Sequence, residues 1–154
     1  YLEDELFLME YFCHAKKLVI VEKPLYCYLD NPASVTHRYM KDYMEVYRGF
    51  FRRKEELVRR FDLEGRRPDW REQTLWAGLL IAVGNEYAAG NPASAAEKKR
   101  RVQAIAESAD MAQAVASFAP QGLSRNRQIA AALLRKKRYG LLTLLYLIKN
   151  LGRS

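Results

Sequence analysis

The sequence predicts an α+β chain that is mainly helical. Two observations carry this. From Met40 onward, apolar residues recur at three- and four-residue intervals, the period of a helix with one buried face. Before that, Leu18 to Val21 and Leu25 to Leu29 are short runs rich in β-branched and aromatic residues, the composition of strands.

The elements follow in order. Glu3, Asp4 and Glu5 open a first helix, where negative charge suits the positive end of the macrodipole. Leu6, Phe7, Tyr11 and Ala15 recur at helical intervals along it, and Lys16 and Lys17 suit its other end. Leu18 to Val21 reads as a buried strand. Lys23-Pro24 breaks it, and a second strand follows with Tyr26 and Tyr28 on one face. The two strands pair either with each other or with strands outside this chain. Asp30-Asn31-Pro32 is a turn.

Tyr43, Val46, Tyr47, Phe50, Leu57 and Phe61 form the stripe of the next helix, which Gly65-Arg-Arg-Pro68 ends. Trp70 to Tyr87 follows, with Trp76, Leu79, Leu80, Val83 and Tyr87 on one face. Ser94 and Glu97 form a capping box that opens another helix, with Val102, Ile105, Ala109 and Ala112 inward, as far as Pro120-Gln-Gly122. Ser124 caps a helix through Ile129 and Leu133, and Gly140 is the expected interruption before Leu141 to Leu151. Asn-Pro-Ala-Ser occurs at 31–34 and 91–94 in different surroundings, so it is turn chemistry used twice and not a repeat.

With 154 residues, 49% of them hydrophobic, the chain can bury a sizeable core. Cys13 and Cys27 match no metal knuckle or disulfide framework and read as two reduced, buried thiols of a cytosolic protein. The chain opens at Tyr1 on what looks like the middle of a domain, so it is expected to be part of a longer one. The net charge of +8 is one-sided. Up to Asp110 there are 18 acids and 18 bases; beyond it there are eight bases and no acid. A tail of one sign seeks a polyanion.

Glu3-Asp4 is the first chemical candidate. Its plain reading is a pair of helix-start acids. Its functional reading is a general base, a carboxylate that takes the proton of a sugar hydroxyl attacking an anomeric carbon. A helix N-terminus would hold that group rigidly. His14 reads as structural, and His37, after the Ser-Val-Thr loop, can approach a ligand.

The order of pieces in residues 1–38 is informative. Glu3-Asp4 with Phe7, a helix ending Ala15-Lys16-Lys17, a strand, Pro24-Leu25-Tyr26 with Tyr28, and Asn31-Pro32 with Ser34 and Thr36 stand in fitting succession. This series resembles the end of the catalytic domain of family 2 glycosyltransferases, inverting enzymes of GT-A fold in bacterial surface-polysaccharide pathways. The resemblance implies the last helix and short strands of that domain over 1–38, a helical subdomain over 39–123, and basic amphipathic helices over 124–154. It implies Asp4 as the catalytic base, Glu3 shaping the acceptor site, and Ser34 near the donor phosphates, with His37 as a further substrate contact.

Two departures stand beside it. Leu29 occupies the place where the family commonly has a basic residue. The first strand and the Asp-x-Asp metal motif precede Glu-Asp in the family and have no counterpart here. A nucleotide-sugar donor, a carbohydrate or lipid-linked acceptor and a divalent metal (Mg or Mn) are therefore expected of the full-length parent. The fragment is expected to hold no cofactor and to be inactive alone.

The tail is the second candidate. Leu141, Leu142, Leu144, Leu145, Leu147, Ile148 and Leu151 cover a broad helix face, with Thr143, Lys149 and Asn150 on a narrow polar side. This run is shorter than the about 20 residues that span a bilayer. Preceded by Arg135, Lys136, Lys137 and Arg138, it has three available seats: an anionic membrane surface, the protein's own core, or the absent catalytic half. A location in the cytoplasm, peripheral at the inner face of the membrane, follows from the first. The other basic clusters carry no recognition-helix signature, and no nucleic-acid partner is expected. The competing class is a non-enzymatic helical interaction module with a membrane-binding tail.

Overall fold

The computed structural model describes residues 2–27, 29 and 38–151. Seven α-helices and one 3-10 turn make up the regular structure among these residues. They are α1 (Glu3–His14), α2 (Tyr43–Arg60), the 3-10 turn (Glu64–Arg66), α3 (Trp70–Glu86), α4 (Ala95–Ala106), α5 (Ala109–Ser117), α6 (Arg125–Arg135) and α7 (Tyr139–Leu151). The chain is thus mainly helical, as expected. The strands are not found: no residue described in either run is in a strand, and Leu18 to Val21, Leu25, Tyr26 and Leu29 are all exposed. A strand exists only through a partner that completes its hydrogen bonds. Neither run has such a partner among the described residues.

α3 is the central helix, packed against α2, α4, α5 and α6. The expected face of Trp76, Leu79, Leu80, Val83 and Tyr87 is buried throughout. α4 packs on α7, so one core joins the helices on both sides of residue 124. α2 meets α3 through Tyr43, Tyr47 and Phe50. The Tyr47 hydroxyl donates to the Thr74 carbonyl, and the Tyr47 ring lies where a Cβ on Gly78 would have to be. We predict that Gly78→Ala costs about 3 kcal/mol, from overpacking against that ring together with disturbance of a buried hydrogen bond. Chemical denaturation checks this, and a cost near zero would mean that Tyr47 has room to move.

Helix ends show where local signals succeed. Ser94 and Glu97 form the expected capping box, with Ser94 Oγ accepting from the Glu97 N–H at 3.3 Å and the Glu97 carboxylate accepting from the Ser94 N–H at 3.0 Å. These bonds hold the Glu97 carboxyl below its usual range. The predicted single helix from Ser94 to Pro120 is instead two. α4 stops at Ala106, and α5 starts after Ser108, whose backbone is extended. The break turns Met111 and Ala114 inward and leaves Ala109 and Ala112 exposed.

The interruption expected at Gly140 comes earlier. Lys137 adopts φ 51°. Arg138 N–H reaches the Leu133 carbonyl at 2.8 Å and Lys137 N–H the Leu134 carbonyl at 3.0 Å. This paired closure satisfies the last carbonyls of α6. Asp62, with φ 49°, ends α2 the same way through Leu63 and Val58, several residues before Gly65.

The tyrosines of the core titrate late. Burial pushes the Tyr47, Tyr87 and Tyr146 hydroxyls up, and burial followed by the Glu107 carboxylate pushes Tyr139 from 10.0 up to about 12. A proton held more tightly in the fold adds stability that is complete below the unfolded value and is lost as pH rises past it. The unfolding midpoint is therefore expected to fall between pH 10 and about 12, measured as a thermal melt against pH. The decline is expected to be shallower in Tyr139→Phe.

Candidate functional site

Glu3 and Asp4 stand in the first turn of α1, as expected. Leu2 in the N-cap place has left-handed backbone and no capping side chain. The acids take over that role: Asp4 Oδ1 accepts the Glu5 N–H at 2.9 Å. The Glu3 carboxyl lies below its usual range, lowered by hydrogen bonding. Both residues are exposed, and among the described residues Asp4 makes no ion pair.

α1 is fastened to α2 by its other side. Lys54 Nζ meets Glu5 Oε1 at 2.6 Å and Arg60 Nη1 meets Glu10 Oε1 at 2.8 Å. Leu2 and Leu6 pack on the core, and the His14 ring lies edge-on to Phe61 with centroids 5.1 Å apart. His14 is thus structural in its contacts. The expected stripe of Leu6, Phe7 and Tyr11 is split, since only Leu6 turns inward. Phe7, Leu8, Tyr11 and Phe12 face out, 47–67% exposed. Asp4, Phe7, Leu8 and Tyr11 are spaced i, i+3, i+4, i+7, so the carboxylate heads this outward apolar face. A cavity of about 510 Å³ lies on the opposite side of the same turn, lined by Leu2, Glu5, Tyr47 and Lys54; neither Glu3 nor Asp4 lines it.

Ser34, His37 and the turn at 30–32 lie outside the described residues. The thiols depart from expectation: Cys27 is exposed and Cys13 half-buried, both free, because the segment around Cys27 has no partner layer among the described residues. Among the described residues no group of three or more His, Cys, Asp or Glu side chains could hold a metal ion. A divalent metal therefore has no such ligand set among the described residues.

The tail is assembled the other way round from its sequence pattern. Thr143 is buried and shares a 2.6 Å hydrogen bond with the Tyr87 hydroxyl, and Asn150 Nδ2 donates to the Tyr87 carbonyl at 2.7 Å. Of the narrow polar side, Thr143 and Asn150 thus face the protein, while Lys149 is exposed. Leu142 is buried with Thr143, while Leu141, Leu144, Leu147 and Ile148 form an outward ridge, 38–59% exposed. No helix among the described residues is long and apolar enough to cross a membrane.

The four-base cluster before α7 is divided. Arg135 donates to the Val115 carbonyl at 3.2 Å and the Phe118 carbonyl at 2.5 Å, closing the end of α5. Lys137 lies 3.9 Å from Glu107, while Lys136 and Arg138 remain exposed.

A second cavity, about 390 Å³, lies between α3, α6, α7 and the chain entering α2. Arg38, Arg127 and Lys149 line it together with no carboxylate. No sequence motif marks this trio. The available signal was the loss of acids after Asp110, which makes α6 and α7 purely basic.

No protein-family model, curated protein or solved structure matches the chain.

Proposed function

We propose that the chain is the carboxyl-terminal part of an inverting family 2 glycosyltransferase of GT-A fold. Asp4 takes the proton of an acceptor hydroxyl as that oxygen attacks the anomeric carbon of a nucleotide sugar. Glu3 shapes the acceptor side, with Ser34 and His37 near the donor. The divalent metal that neutralises the departing diphosphate is held by residues of the parent upstream of this chain. The acceptor is a carbohydrate or a lipid-linked one in surface polysaccharide synthesis.

One observation supports this reading above the others. Asp4 is an exposed carboxylate with no ion-pair partner among the described residues, heading an outward face of Phe7, Leu8 and Tyr11. The exposed apolar segment 18–27 continues from the same helix. Apolar surface of that extent marks a face that another body covers. A catalytic half packed there would close a cleft over Asp4 and supply the strands that residues 18–29 need to pair. Transfer of a sugar by a polypeptide extended upstream, and loss of that transfer in its Asp4→Asn form, tests the reading.

The ridge of Leu141, Leu144, Leu147 and Ile148 favours a second reading for the tail. With polar Thr143 and Asn150 turned inward, α7 offers its apolar side to a membrane interface, flanked by Lys136, Arg138 and Lys149. A peripheral place at the inner face of the membrane fits both the enzyme and a non-enzymatic helical module.

A further inference from the structure

We infer that the cavity lined by Arg38, Arg127 and Lys149 is an anion site that takes a phosphate group, as a monoester or a diphosphate. The inference does not rest on glycosyl transfer, and none of the residues proposed for that reaction lines the cavity.

Four observations lead here. First, three cations share one cavity, and among the described residues none of them forms an ion pair. Elsewhere Arg60, Arg67, Arg71, Arg101 and Lys137 each meet a carboxylate. Like charges gathered without counter-charge repel one another, and a bound anion removes that cost.

Second, two of the three charges lie near one aromatic ring. Lys149 Nζ lies 5.6 Å from the centroid of the Tyr146 ring. Arg127 acts on the hydroxyl of the same tyrosine, favouring its ionised form against burial. Third, other polar groups at the cavity are already committed. The Asn85 side chain clamps the Met40 backbone, accepting from its N–H and donating to its carbonyl, each at 2.8 Å. The side-chain donors left to a ligand are therefore chiefly the three cations, beside the Asn126 amide and the Tyr146 hydroxyl. Fourth, 390 Å³ is within the range of small-ligand pockets.

The chemistry selects the class. An anion facing three cations is matched best by more than one negative charge. Two guanidinium forks suit the oxygens of a phosphate, with the lysine as a point charge. The remaining wall, Leu80, Ile81, Leu145 and Ile148, is apolar. Ile148 belongs also to the outward ridge of α7, so the cavity opens beside the surface suited to lipid. The phosphate can thus belong to a soluble compound or to a phospholipid headgroup.

The test uses the intact chain with two probes: inorganic pyrophosphate followed by calorimetry, and vesicles of phosphatidic acid in phosphatidylcholine followed by cosedimentation. The cavity variant is Arg38→Gln, Arg127→Gln and Lys149→Gln. The control variant is Arg53→Gln, Arg59→Gln and Lys99→Gln, which removes the same charge from exposed positions elsewhere. All six side chains are exposed, and the single Arg127→Gln form serves if the cavity variant does not fold.

The expected result is binding of at least one probe that weakens about tenfold in the cavity variant and about twofold or less in the control. Pyrophosphate binding of this kind identifies a soluble phosphate ligand. Vesicle binding alone, with the same dependence, identifies a headgroup. No binding of either probe, or equal weakening in both variants, overturns the site.

Discussion

Trp76→Ala is expected to lower the unfolding free energy by about 3–5 kcal/mol. Trp76 is 1% exposed and lies on the buried face of α3. Its removal leaves a cavity at a helix that packs against four others. It also removes a polar function. Trp76 Nε1 donates to the Ala114 carbonyl at 3.0 Å and to the Phe118 carbonyl at 3.1 Å. These belong to the last turn of α5 and the residue that follows it. The Phe118 N–H also reaches the Ala114 carbonyl at 3.1 Å and Arg135 the Phe118 carbonyl at 2.5 Å, so each carbonyl keeps one donor when the indole is lost.

Trp76→Phe separates the two contributions. It keeps much of the apolar contact and loses the indole N–H, with an expected cost of about 1–3 kcal/mol for the lost buried hydrogen bonds together with the volume lost. Urea denaturation of the three proteins gives both numbers. A cost below about 1 kcal/mol for Trp76→Ala would contradict the placing of α3 at the centre of the core.

The helices were legible where one face is buried and the ends carry chemistry. The stripe from Trp76 to Tyr87 and the box of Ser94 and Glu97 meet both conditions. The division of α4 from α5 was harder to read, because Glu107-Ser108 has neither glycine nor proline. Only Ser108 followed by Asp110 hints at a new start. Lys137 and Asp62 end their helices in a left-handed conformation that glycine usually supplies, so their residue types gave no warning, and Gly140 drew the expectation instead.

The strands failed for a different reason. Composition reports what a segment prefers in a sheet, and no sheet is present among the described residues to receive Leu18 to Val21. α7 shows the limit of reading polarity as direction. Thr143 and Asn150 are polar, yet Tyr87 offers them a buried hydroxyl and a carbonyl, so they turn inward beside Leu142, and Leu141, Leu144 and Leu147 turn out. At the candidate site, the placing of Asp4 in a first turn was legible from three successive acids. Its company on the outward face was not, because Phe7 and Tyr11 look like core residues until the contacts of Leu6 and Glu5 fix the rotation of the helix.

The proposed role of Asp4 is open to one measurement. Asp4→Asn in a polypeptide extended upstream keeps the size of the side chain and an oxygen able to accept the Glu5 N–H, so the helix start survives. What it removes is the basicity. A general base contributes typically about 10²–10⁴-fold to the rate, and turnover with a nucleotide-sugar donor is predicted to fall by that factor at unchanged stability. Turnover within a few-fold of the unaltered enzyme would contradict the assignment.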